Sequence, residues 1–243
     1  MGDPKEETYN RRLADVYDRW FGYFDEAAVD VLEELAGGGR ALELGVGTGL
    51  VALPLAARGV PVHGIDASPE MVAELRAKPG GDELPVTLGD FADVSVEGEF
   101  SLVYVVYNTL FALQTQEEQV RCFRTVAARL APGGAFVVEA FVPDLAQLST
   151  GRGVRLLHMT EERVGLRAYE HDPVGQKLRS RHVVFDEGGV RVFPVEVRYA
   201  WPSELDLMAR LAGLSLRARW ADWRRGAFDA RSEKHVSVYE RPA

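Results

Sequence analysis

The sequence predicts an α/β protein: a doubly wound, mostly parallel seven-stranded sheet with helices on both faces, plus an antiparallel β insertion after the fifth strand. Three observations lead there. Strand-like and helix-like segments alternate through the first 143 residues. The strand-like runs, such as "LVYVVY" and "AFVVEAFV", are apolar nearly throughout, as strands covered on both faces are. After Pro143 the pattern changes to short strands with turn signals between them, which marks a meander and not crossovers.

The elements follow in order. "RALELGV" is the first strand, ended by glycines, and a helix runs through Leu50–Arg58. "VPVHGID" is the second strand. Ser68 caps the next helix, with Pro69 at its first position, where a missing N–H costs nothing. "LPVTLGD" and "FSLVYVVYN" are the third and fourth strands. Thr115 and Glu118 form a capping box, and Val120, Phe123, Ala127 and Leu130 recur at helical spacing behind it. "PGG" at Pro132–Gly134 stops that helix, and "AFVVEAFV" is the fifth strand. In the insertion, "GLRAYEH", "KLRSRHVVF" and "VRVFPVEVRYA" are strand-like, separated by "DPVG" and "DEGG". Ser203 caps "ELDLMARLAGL", closed by Gly213, and "LSLRARW" and "KHVSVYE" are the last two strands. Residues 1–143 and 203–243 thus form one α/β domain, and 144–202 the insertion.

Composition narrows the function. A chain of 243 residues suffices for one domain with a sizeable core and a modest insertion. No apolar run approaches the roughly 18 residues of a membrane span. "MGDPKEETYNRR" has no apolar signal core, so export is not expected, and Glu6 breaks the myristoylation pattern. The single cysteine, Cys122, excludes an intrachain disulfide and fits a cytoplasmic protein; mid-helix, it reads as a small buried hydrophobe. A net charge of −9 argues against nucleic acid as a partner. Neither HxH nor HxxxH spacing occurs among the histidines of the insertion, so no metal site is expected.

The most informative stretch is "ELGVGTG". Gly45, Gly47 and Gly49 sit where a parallel strand becomes a helix. Bare backbone there lets a ligand approach, and the helix N-terminus points N–H groups at it. Asp66 ends the neighbouring strand, where a carboxylate can accept hydrogen bonds from ribose hydroxyls. The pair implies a nucleoside-bearing cofactor. A dinucleotide fingerprint would need glycine where Leu50 stands, and Glu43 would repel a diphosphate; a cofactor with an ammonium and a sulfonium would tolerate that acid.

On these residues the chain resembles the class I S-adenosylmethionine (SAM)-dependent methyltransferases, whose fold is Rossmann-like. "ELGVGTG" matches their first motif, "GIDASPEM" resembles the second, "LGDF" at Leu88–Phe91 the third and "VVYNTL" the fourth, each at a strand end. The resemblance covers roughly residues 9–142 and implies SAM as cofactor, with S-adenosylhomocysteine as product. It implies that Gly45, Gly47 and Gly49 pass under the methionine and ribose parts, that Glu43 serves the methionine end and that Asp66, with Ala67 beside it, holds the ribose. Met71 would pack on adenine, although its place in an amphipathic helix makes it core on either reading. Asp90 would reach the adenine amino group with Phe91 alongside, and Asn108 would line the transfer site.

"TYNRRLADVYDRW" resembles the N-terminal lid, about residues 8–25, of small-molecule methyltransferases that modify amino sugars and other natural products. By that likeness Tyr17 is a cofactor residue, and Trp20, Tyr107 and Tyr199 are substrate residues. In the last insertion strand Phe193, Val195, Val197 and Tyr199 alternate onto one face, which reads either as a roof over the pocket or as the interface of a homodimer. His171 and His182 are the candidates for a general base.

The expected reaction is methyl transfer from SAM to an N, O or activated C acceptor on a small molecule, a secondary metabolite. The alternatives are a peptide or protein side chain as acceptor, a nicotinamide-dependent oxidoreductase, and a non-catalytic protein that keeps the cofactor fold. No membrane partner is expected.

Overall fold

The computed structural model describes residue 18, residues 25–148 and residues 151–242. Helix α1 (Glu26–Ala36) starts where the Asp25 side chain accepts the Ala27 amide, and ends at Gly37 in the left-handed region. Then come β1 (Ala41–Leu44), α2 (Ala52–Ala57), β2 (Val62–Asp66), α3 (Pro69–Arg76), β3 (Val86–Leu88) and β4 (Phe100–Val105). A 3₁₀ turn at Thr109–Ala112 leads to α4 (Gln116–Arg129) and β5 (Leu130–Phe141). The Ser68 cap and the Thr115/Glu118 capping box both form as the sequence predicts. "PGG" does not itself stop α4. The helix ends at Arg129, and Pro132–Gly134 lies inside β5, where the register with β4 shifts.

The main sheet has seven strands in the order β10-β11-β5-β4-β1-β2-β3. Its last two members are β10 (Ser215–Trp220) and β11 (Lys234–Glu240). β11 runs antiparallel to both its neighbours, and the pairs β5·β4, β4·β1, β1·β2 and β2·β3 are parallel. β1 has β2 on one side and β4 on the other, so strand order reverses between β1 and β4 and opens a crevice at their carboxyl ends. Alternate residues face opposite cores. Leu42, Leu44, Val103 and Val105 pack with Phe123 and Val126 of α4 and with α6 (Pro202–Leu211). Ala41, Leu102 and Tyr104 pack with Val29 and Leu32 of α1 and with Leu55 of α2. Two cores, one on each side of the sheet, are what strands apolar throughout require. Cys122 is fully enclosed, and burial pushes its thiol well up, so it packs and does not react.

After β5 a short helix, α5 (Leu145–Leu148), leads into the insertion, a four-stranded meander of β6 (Arg152–Met159), β7 (Val164–Asp172), β8 (Lys177–Asp186) and β9 (Gly189–Arg198). β6 was not among the strands expected. Phe193 and Tyr199 are buried within the single chain, with Val195 and Val197 half-buried, so this face turns inward. It is the opposite face that exposes Val154, Leu156, Met159, Val190 and Val192. The subunit-interface reading of the Phe193 face is therefore corrected: pairing of copies through this sheet would use the outward face.

Arg198, at the end of β9, pins the insertion to the domain. Its buried guanidinium donates to Gln119 Oε1 of α4 at 2.6 Å and to Glu204 Oε1 of α6 at 2.7 Å.

Candidate functional site

The crevice is built from the glycine turn outward. Gly45 and Gly47 have φ of 70° and 53°, a region that side chains disfavour. A Cβ on Gly45 would stand 2.4 Å from Thr109 Cγ2, so close packing also demands glycine there. The turn is held by its neighbour strand. Gly45 and Val46 donate to the Ile65 carbonyl at 2.8 and 2.9 Å, and Gly47 donates to Asp66 Oδ2 at 2.7 Å. The other Asp66 oxygen accepts the Ser68 amide at 2.8 Å. Burial pushes the Asp66 carboxyl above its ordinary range, and the amides of Ser68 and Gly47 pull it back.

A cavity of about 780 Å³ opens on this turn, walled by Gly45, Asp66, Ala67, Asp90, Phe91 and Thr109 among others. Of the four acids in the lining, Asp66 and Asp90 flank the bare turn and the Phe91 ring, an arrangement that suits a nucleoside: an acid for the ribose hydroxyls, an acid for an exocyclic amine and an apolar surface for the base. The expected Gly45, Asp66, Ala67, Asp90 and Phe91 therefore converge.

Five other expected cofactor residues among the described ones, Glu43, Gly47, Gly49, Met71 and Asn108, do not line this cavity. Gly47 belongs to the turn and donates its amide to Asp66. Met71 is half-buried on α3, where its amide donates to the Ser68 side chain. Glu43, expected to bond the methionine end directly or through water, is enclosed at 2% exposure and supports the turn. Its carboxyl accepts the Tyr104 hydroxyl at 3.0 Å and the Ala52 amide at the start of α2. Burial raises its pKa to about 8, against the opposing pull of those two donors.

A second cavity, of about 380 Å³, lies at the carboxyl ends of β4 and β5. It is walled by Tyr107 and Asn108, next in sequence to Thr109 of the first cavity, and by Glu139, Phe141, Glu233 and Lys234, with Asp25 and Trp223 opposite. Tyr107 and Asn108 have φ of 54° and 67°, two consecutive non-glycine residues in the left-handed region. β5 holds them there. Asn108 Oδ1 accepts the Phe141 amide at 2.6 Å, and the Tyr107 amide donates to Glu139 Oε2 at 3.2 Å. The other Glu139 oxygen faces Lys234 Nζ at 3.4 Å. Glu139 was not singled out in the sequence, although an acid inside an apolar strand is the same signal that marked Glu43 and Asp66.

A third cavity, of about 660 Å³, shares Phe141 and Glu233 with the second and reaches the insertion sheet at Arg155, Arg167 and Leu178.

The proposed base residues fall elsewhere. Both ring nitrogens of His171 belong to the fold: Nε2 pairs with the Tyr199 hydroxyl at 2.9 Å and Nδ1 with the Leu148 carbonyl at 3.2 Å. His182 lies mid-sheet beside Arg167, and burial, helped by that arginine, lowers its pKa to about 4. Neither histidine lines the cavity at β4 and β5, and the base assignment is corrected on that ground. Tyr199 is 2% exposed and bonded to His171, so it supports the wall and does not face a substrate. Tyr17 and Trp20 lie outside the described residues. Asp18 accepts the Thr48 hydroxyl at 2.5 Å and pairs with Lys78, which places Asp18 beside the glycine turn. Among the described residues no cluster of three or more His, Cys, Asp or Glu side chains is arranged to hold a metal.

A family described as "Methyltransferase domain" matches residues 41–134, which run from the first strand through the glycine turn and Asp66 into β5. The cypemycin N-terminal methyltransferase of a Streptomyces species is 30% identical over 205 residues, 84% of either chain. The CcbJ methyltransferase from Streptomyces caelestis superposes with a TM-score of 0.89 at 44% identity, over 97% of this chain and 98% of that one. The protein is a SAM-dependent methyltransferase. The fold is shared further: the SAM-bound amino pentose methyltransferase CalS10 of Micromonospora echinaspora superposes with a TM-score of 0.69 at 24% identity, over 93% of this chain and 96% of that one. In this methyltransferase the 780 Å³ cavity, walled by Gly45, Asp66, Asp90 and Phe91 among others, has the chemistry to take the nucleoside of SAM. None of the described helices is long and apolar enough to cross a membrane.

Proposed function

We propose that this methyltransferase methylates an amine nitrogen on a small molecule of the natural-product type. The observation that carries this reading is the lining of the 380 Å³ cavity: three acids, Asp25, Glu139 and Glu233, against one base, Lys234. A wall of that charge attracts an ammonium ion and repels an anion placed beside it. The cypemycin relative, by name an N-terminal methyltransferase, supports nitrogen as the atom methylated. A peptide amino terminus is the second reading, favoured by that same relative.

Held by the Gly45 turn, Asp66, Asp90 and Phe91, SAM would supply an electrophilic methyl group for the amine nitrogen, with sulfur as the leaving group. The chain supplies position and a proton acceptor. Glu139 stands at the edge where β4 and β5 end, held by the Tyr107 amide on one oxygen and Lys234 on the other. From there it takes the amine's proton, which leaves the nitrogen lone pair free to attack. Asn108 fixes the facing backbone, so the distance between the two substrates depends on little that moves.

Labelled SAM offered with a panel of amino sugars, short peptides and their hydroxyl analogues tests the proposal. Label on nitrogen is the expected result. Label appearing only on oxygen or carbon acceptors would overturn it.

A further inference from the structure

On the inward face of the insertion sheet, Arg155 of β6, Arg167 of β7, His182 of β8 and Phe193 of β9 form one cross-strand row. Adjacent members of such a row stand close enough to interact, and like charges side by side repel. The Arg167 cation, set beside that of Arg155, therefore raises a question of compensation. Arg167 is half-buried, and its Nε is buried without an acceptor. No carboxylate among the described residues pairs with it; its guanidinium stacks over the Tyr169 ring at 5.6 Å. Its cavity neighbours Asp144 and Glu233 do not form an ion pair with it, and the nearby Arg231 is already bound to Asp229 at 2.8 Å. Burial and then the Arg155 charge both oppose the Arg167 cation. A desolvated cation without a counter-charge destabilises the fold, and the site recovers that cost when an anion enters.

The place of this charge gives it a use. Arg155 and Arg167 line the 660 Å³ cavity, which shares Phe141 and Glu233 with the acidic one. We propose that Arg155 and Arg167 bind an oxyanion, a carboxylate or a phosphate, carried by the acceptor at a distance from its amine. The acceptor is then dipolar, its ammonium end on the Glu139 side and its anionic end on the insertion sheet. The planar guanidinium fork of Arg167 suits the geometry of either oxyanion, with the Arg155 charge adding to the local field. This rests on the reading that the acidic cavity takes the acceptor's amine.

Thermal denaturation of the full chain in acetate, inorganic phosphate, pyrophosphate or chloride, at matched ionic strength, tests the site. Wild type is compared with Arg167→Met and with Arg181→Met, which removes an exposed arginine of β8. Phosphate or acetate should raise the Tm of wild type and of Arg181→Met and leave Arg167→Met unmoved. Arg167→Met in chloride should be at least as stable as wild type. The stronger of the two probes identifies the oxyanion. An equal response in wild type and Arg167→Met, or no response beyond that of chloride in wild type, overturns the proposal. Should Arg167→Met fail to fold, Arg167→Lys keeps the charge and loses the fork: its phosphate affinity should fall about fivefold or more, and unchanged affinity overturns the proposal. Failure of the amine reading is distinguishable, since label would move to oxygen or carbon while the anion response persisted.

Discussion

The Gly47 amide donates to the Asp66 carboxylate at 2.7 Å, from the turn that follows β1 to the last residue of β2. One acid thus shapes the glycine turn and lines the nucleoside cavity. Replacing Asp66 with alanine should weaken SAM and S-adenosylhomocysteine binding by roughly 1.5–3 kcal/mol, the usual range for hydrogen bonds to a charged group. Calorimetric titration measures it, and an unchanged Kd would remove Asp66 from the site.

Glu43 makes stability depend on pH. Its pKa is raised from 4.5 to about 8, so the native state binds a proton that the unfolded chain has already released. The sign follows: the contribution is full below pH 4.5, falls as pH rises and is gone above about 8. Urea denaturation from pH 5 to 9 should show wild type losing stability relative to Glu43→Gln, which keeps the shape without the titration. Parallel curves for the two proteins would contradict this.

Asn108 carries both a left-handed backbone and a side-chain bond to the Phe141 amide. Asn108→Ala loses the bond and places a less tolerant residue at φ 67°, at a cost of about 2 kcal/mol. Asn108→Gly loses only the bond, so it should lie about 1 kcal/mol above the alanine variant. Chemical denaturation of the pair gives the difference; equal stabilities would mean that the strain is absent.

Glu139→Gln tests the proton acceptor. It should lower kcat by about a hundredfold or more and leave the Kd for S-adenosylhomocysteine unchanged. Loss of both together would make Glu139 a structural residue only.

Legibility in the sequence followed chemical necessity. Three glycines and an acid in the next strand are hard to explain except by a ligand, and of these Gly45 and Asp66 wall one cavity. The doubly wound sheet was equally plain, because strands buried on both faces leave unbroken apolar runs. β6 escaped notice for the opposite reason. Val154, Leu156 and Met159 face outward, and a bulge between Leu156 and His158 breaks the alternation that would have marked a strand. His171 and His182 drew attention by residue type alone, yet position decides their roles, and the meander's register was not readable. Glu139 was passed over because an apolar context was taken as core, whereas the acid within it was the informative residue.

β5 is paired on one edge by β4, just before it in the chain, and on the other by residues 234–240, which follow it by nearly a hundred positions. During synthesis the strand that carries Glu139 therefore waits with a bare apolar edge until that distant segment leaves the ribosome and closes it. A stop codon or frameshift between residues 203 and 233 would leave this edge open for good. It would yield an aggregating polypeptide, not a smaller enzyme of reduced activity.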